Sequence, residues 1–118
     1  MPAPSPLKIA TQAVSRLVTE EKYYQKELSS QTARIEKLEA DIKSGSDTDS
    51  NADFVLKQEQ KAMEETKAVF GPLKQRIFEA TQRLEEQIAT AEGAQDGGNQ
   101  EELAKAKEVL ASAPKEDA

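Results

Sequence analysis

From Leu7 onward, apolar and semi-apolar side chains return at Ala10, Val14, Leu17, Tyr24, Leu28, Ile35, Leu38 and Ile42. With Glu21 and Gln31 counted as polar occupants of the same stripe, the steps alternate between three and four. Such spacing keeps one face of a helix apolar, and sustained this far it is a heptad seam. Ser5-Pro6 supplies the start: a serine N-cap, then a proline whose missing N–H is harmless at the first helical position. The helix so predicted covers about residues 5–43 and would be roughly 55 Å long.

The run Ser44-Gly45-Ser46-Asp47-Thr48-Asp49-Ser50 holds no apolar residue and is rich in turn formers, so residues 44–50 read as a loop. Ser50 with Asp53 resembles the start of a second helix, with an acid in its first turn. Its stripe runs through Val55, Ala62, Thr66, Val69, Leu73, Ile77, Ala80, Leu84, Ile88 and Ala91. Gly71-Pro72 interrupts it. Proline inside a helix removes a backbone bond and clashes with the preceding turn. The stripe nevertheless keeps phase from Val69 through Leu73 to Ile77, and Gly71 has no Cβ to press on the following ring. One kinked helix over about residues 51–92 is therefore expected, rather than two. Gly93 to Gly98 forms a second loop. Asn99, with Glu102 three residues on, resembles a capping box for a third helix over about 99–113. Its stripe is Leu103, Ala106, Leu110 and Ala113, and both chain ends read as flexible tails.

Two long helices joined by a short loop should fold back on each other. The expectation is a single all-α domain, an antiparallel three-helix bundle of coiled-coil, spectrin-like type, with two long helices and one shorter. If the long helices pair in register, facing residue numbers sum to roughly 94, because both share one rise per residue. The short third helix would cover helix one from about Leu7 to Leu17. The end formed by Leu28–Ile42 and Val55–Val69 stays a two-helix hairpin, with more of its apolar stripe in water. That end is the first candidate for a partner surface.

The 118 residues suit one domain, and 36% apolar with 32% charged residues suits thin helical packing rather than a thick core. Cys and His are absent, which removes thiol and imidazole catalysis, disulfides and the usual zinc sites. The formal net charge of -6 argues against nucleic acid, whose phosphates need Lys and Arg. No apolar run approaches the ~18 residues of a membrane span. A Cys-free chain without a signal segment points to the cytoplasm. The adjacent pairs Glu20-Glu21, Glu64-Glu65 and Glu85-Glu86 do not face one another on a helix, and no apolar pocket is in view to raise a carboxyl pKa. Asp47, Asp49 and Asn51 resemble the opening of a calcium loop, but Ala52 and Gln58 stand where its Gly and closing Glu belong. Glu39-Lys43, Glu79-Arg83 and Glu101-Lys105 have the spacing of helix-supporting pairs. No enzyme and no cofactor is expected.

Lys8-Ile9-Ala10-Thr11, Arg16-Leu17-Val18, Glu21-Lys22-Tyr23-Tyr24-Gln25-Lys26-Glu27 and Arg34-Ile35-Glu36-Lys37-Leu38 together resemble the first helix of the tubulin-binding cofactor A family. Leu56-Lys57-Gln58-Glu59, Glu64-Glu65-Thr66, Phe70 with the mid-helix Pro72, then Gln75-Arg76-Ile77 and Ala80 resemble its second. The resemblance covers roughly residues 7–92; the third helix agrees in place and length without a clear motif. It implies a three-helix bundle acting as a chaperone of β-tubulin, which takes folding intermediates or released β-tubulin and passes them to other tubulin-folding cofactors. It further implies a cytoplasmic, cytoskeleton-associated protein that needs no nucleotide or metal. Members differ in self-association, so a homodimer stays open. The alternative reading is a structural coiled-coil protein that self-associates or tethers a complex, with Gln31 setting register.

Partner-binding candidates follow from both lines. Tyr24 should face the seam, leaving Tyr23 exposed as an aromatic contact. Arg16 and Arg76 could form a basic spot near the kink at Gly71 and Pro72. Phe70 and Phe54 lie beside the stripe, either closing the core or offering apolar contact. Glu27, Arg34, Gln58 and Glu65 complete the set from the matching motifs.

Overall fold

A computed structural model describes residues 3–45, 51–94 and 100–114. These form three helices, α1 (Pro6–Ser44), α2 (Ala52–Gly93) and α3 (Gln100–Ser112), with no strand among the described residues. The Ser50 start signal, Asp47, Asp49, the Gly97-Gly98 pair and the Asn99 cap lie outside the described residues.

The helix ends follow local chemistry. Ser5 caps α1: its Oγ accepts the Lys8 N–H at 3.1 Å, and its carbonyl accepts the Ile9 N–H at 3.0 Å. The same hydroxyl donates to Glu102 Oε1 at 2.7 Å, tying the start of α1 to α3. Glu102, expected in a capping box, thus has its carboxylate engaged by Ser5. At the other end of α1, Gly45 takes φ 77° and its N–H bonds the Ile42 carbonyl at 3.2 Å. The left-handed conformation is open to glycine at little cost and stops the helix. The N-cap place of α2 falls on Asn51, whose carbonyl accepts the Val55 N–H at 2.9 Å, and Asp53 puts an acid in the first turn. α2 runs as one helix from Ala52 to Gly93 with Pro72 inside it, as phase continuity across the proline predicts.

The chain packs as two compact units, one of Met1–Glu20 with Leu73–Ala118 and one of Glu21–Pro72. The division falls after Glu20 in α1, next to the polar seam residue Glu21, and after Pro72 in α2, at the Gly71-Pro72 interruption of the stripe.

In the first unit three helices share an apolar core. Leu7, Ala10, Val14 and Val18 of α1 meet Ala80, Leu84 and Ile88 of α2, Ala106 and Val109 of α3 and Ala113 just past its end, with Leu17, Ala91, Leu103 and Leu110 packed around them. Val14, Leu84 and Leu73 are fully buried, each contributing roughly 1.5–3 kcal/mol of transfer free energy. Thr11 is buried too, and its hydroxyl is satisfied by the Leu7 carbonyl at 2.8 Å. Glu92 and Lys107 join α2 to α3 at 2.8 Å.

In the second unit α1 and α2 face each other alone, since α3 belongs to the first. Arg34 reaches Glu59 at 3.4 Å and Thr32 Oγ1 lies 3.8 Å from Met63 Sδ. Both pairs fall within one residue of the expected antiparallel register. Every α1 seam position here is buried or half-buried, including Glu21 and Gln31. On α2 the sequence reading needs correcting at the start: Val55, placed on the stripe, is 39% exposed. The inward positions are Ala52, Leu56, Glu59, Met63 and Thr66, a four-three alternation that Val55 does not share.

The helical charge pairs also differ from expectation. Glu39-Lys43, Glu79-Arg83 and Glu101-Lys105 do not close. Lys37 and Asp41 meet at 3.5 Å and Lys67 and Glu64 at 3.7 Å instead. All are surface contacts worth little to stability.

Candidate partner-binding surface

The candidates divide between the units. Tyr23, Glu27, Arg34, Gln58, Glu65, Phe70, Gly71 and Pro72 belong to the second, Arg16 and Arg76 to the first. Tyr23 is 61% exposed while Tyr24 is half-buried on the seam. Their rings meet edge-on with centroids 5.2 Å apart, a favoured aromatic geometry. Such a ring offers exposed aromatic area of the kind enriched in binding hot spots.

Glu27 and Arg34 are brought together. The Arg34 guanidinium lies 3.7 Å from Glu27 and 3.4 Å from Glu59, with half of the arginine side chain in water. This is a cross-helix clamp whose free face can still bond a partner. Gln58 and Glu65 are exposed on α2, and Phe70 is half-buried. Arg16 and Arg76 are exposed cations, and neither takes part in an ion pair among the described residues. The basic spot they were expected to form has no bond or shared partner to define it.

One feature was not singled out in the sequence. Gln25, Leu28, Ser29, Thr32, Ala33 and Glu36 line a shallow, open groove of about 480 Å³ along one flank of α1 in the second unit. Its signal was available: an almost uncharged flank at helical spacing in a chain that is 32% charged. Phe54 is 61% exposed beside Val55 at the start of α2, so of its two readings, core closure and apolar contact, the first is removed. Gly71 and Pro72 are exposed, and a Cβ added at Gly71 would meet nothing within 4 Å beyond its own stretch of helix. Packing does not require that glycine.

The sequence matches the family model described as Tubulin binding cofactor A over residues 2–110. The chain belongs to the tubulin binding cofactor A family. It is 34% identical over 94 residues to the protein named Tubulin-specific chaperone A of Saccharomyces cerevisiae, covering 80% of this chain and 82% of that one. No solved structure gives a significant match. The family model spans all three helices, so α3, which carried no clear motif, falls within the likeness. No helix among the described residues is long and apolar enough to cross a membrane.

Proposed function

We propose that this member of the tubulin binding cofactor A family is a cytoplasmic tubulin-folding chaperone that works without catalysis. It holds β-tubulin, as a folding intermediate or after release, on its helical surface and passes it on with other tubulin-folding cofactors. The observation that carries the reading is the family match over nearly the whole chain. The helical faces around Tyr23, Arg34, Gln58, Glu65 and Phe70 are the proposed contact area, with Arg16 and Arg76 as further cations. Supporting this choice, the second unit leaves Tyr23 and Phe54 exposed and offers a flank of α1 whose one charged residue is Glu36. A chain of net charge -6 gains no general steering toward an acidic client, so attraction falls to local cations and apolar contact. We place a bend of α2 at Gly71-Pro72 and give it the task of shaping this surface.

The test is co-purification of tagged protein with tubulin, followed by mass determination of the complex. A stoichiometric complex with β-tubulin lacking α-tubulin, formed without ATP, is the expected result. Recovery of the protein alone, as a larger self-assembly, overturns it in favour of a self-associating coiled coil.

A further inference from the structure

The two units are closed by different chemistry. In the first, Leu7, Val14, Val18, Ile77, Leu84 and Ile88 are among a dozen buried apolar side chains from three helices. In the second, the buried apolar side chains are Ile35 and Ala52. Tyr24, Leu28, Leu38, Leu56, Met63 and Val69 are only half-buried. The remaining buried positions of its seam are polar: Glu21, Gln31 and Thr66.

These polar groups do not link the helices. Thr66 spends its hydroxyl on the Ala62 carbonyl of its own helix, at 3.1 Å. Gln31 is 5% exposed, and its Oε1 is buried with no hydrogen-bond partner. A carbonyl in that position has lost its water and gained nothing for it, so closing the seam over it costs free energy that opening returns. The cross-helix polar contacts that do form are at the surface. Arg34 and Glu59 are partly solvated, and Thr32 meets the thioether of Met63, a weak acceptor.

From this contrast we infer that the second unit opens by itself, well before the first unfolds, and that Gln31 sets how readily it opens. The chain holds a stable three-helix base and a two-helix arm with a low opening cost, the distribution expected of separate cooperative units. When the arm opens, Leu28, Leu38, Met63 and Val69 gain the solvent exposure that the closed seam denies them. This opening belongs to the free chain and needs no client.

Native-state hydrogen exchange on the full-length protein tests it. Amides of residues 28–38 and 56–69 should exchange about a hundredfold or more faster than those of residues 10–18 and 77–88. Gln31→Leu should slow exchange in the arm about tenfold or more and leave the slowest amides of the first unit unchanged. Because the chain has no cysteine, a Thr32→Cys, Met63→Cys double variant gives a second readout. A short thiol cross-link should slow exchange in the arm by at least tenfold over the uncrosslinked protein, whether or not the Gln31 variant folds. Equal protection of both units, or a cross-link that leaves arm exchange unchanged, would overturn the inference. A Gln31→Leu effect spread equally over both units would do the same.

Discussion

Replacing Pro72 by alanine separates the fold from its proposed use. Pro72 sits inside α2, which continues as one helix on both sides of it. Lacking an N–H, it cannot bond the carbonyl of Ala68 one turn back, and its ring crowds that turn. Proline in a helix interior costs about 3 kcal/mol relative to alanine. Two observations reduce what the substitution returns here. Pro72 is exposed, so water can bond the freed carbonyl. Gly71 places no Cβ against the ring, and nothing else occupies the space where one would stand. A gain of roughly 1–2 kcal/mol remains, or a rise in Tm of about 4–8 °C for a chain of this size. Thermal unfolding followed by circular dichroism reads the stability, and titration with tubulin reads the binding. If a bend at Pro72 shapes the client surface, the more stable variant should bind at least about tenfold more weakly, a loss of about 1.4 kcal/mol. A lower Tm would refute the reasoning about the helix. Unchanged binding would remove the bend from the mechanism.

Other perturbations test the packing. Leu84→Ala empties a fully buried site in the three-helix core and should cost about 2.7–5 kcal/mol, read as a lower denaturation midpoint with little change in m. A loss under about 1 kcal/mol would mean that the core closes over the gap. Ser5→Ala removes both the cap on the Lys8 N–H and the link to Glu102, and should cost about 1–2 kcal/mol in the same assay. Gly45→Ala forces a side chain into a left-handed conformation and should cost about 1 kcal/mol. Hydrogen exchange would place that loss at the end of α1.

The seam of α1 was legible because it follows from one local rule. A 3.5-residue average step keeps a stripe on one face whatever that face later meets, so Leu7 through Ile42 could be placed before any partner was known. The same rule tolerated Glu21 and Gln31 in the stripe, and both are buried. Ser5 and Gly45 were legible for a similar reason, since capping depends on a few neighbouring atoms. The start of α2 was misread because a β-branched apolar residue, Val55, lies about 100° round the helix from Leu56. Composition favoured the first, and packing against α1 took the second.

What tertiary structure alone decided is which additional faces are covered. Thr11, Val18 and Val109 are buried although they lie off the predicted stripes, because a helix in a three-helix unit is covered on two sides. Periodicity reports one dominant face and cannot say that a second neighbour will arrive. Nor can it say that Glu102 would meet Ser5 across 97 residues of chain. The sequence by itself determined the number of helices, the caps of α1 and the antiparallel register of α1 and α2 in the second unit, all of which depend on local geometry and a shared rise. The division into an apolar three-helix unit and a polar two-helix unit, and the unbonded carbonyl of Gln31, depended on contacts between distant segments. Only the folded chain brings those segments together.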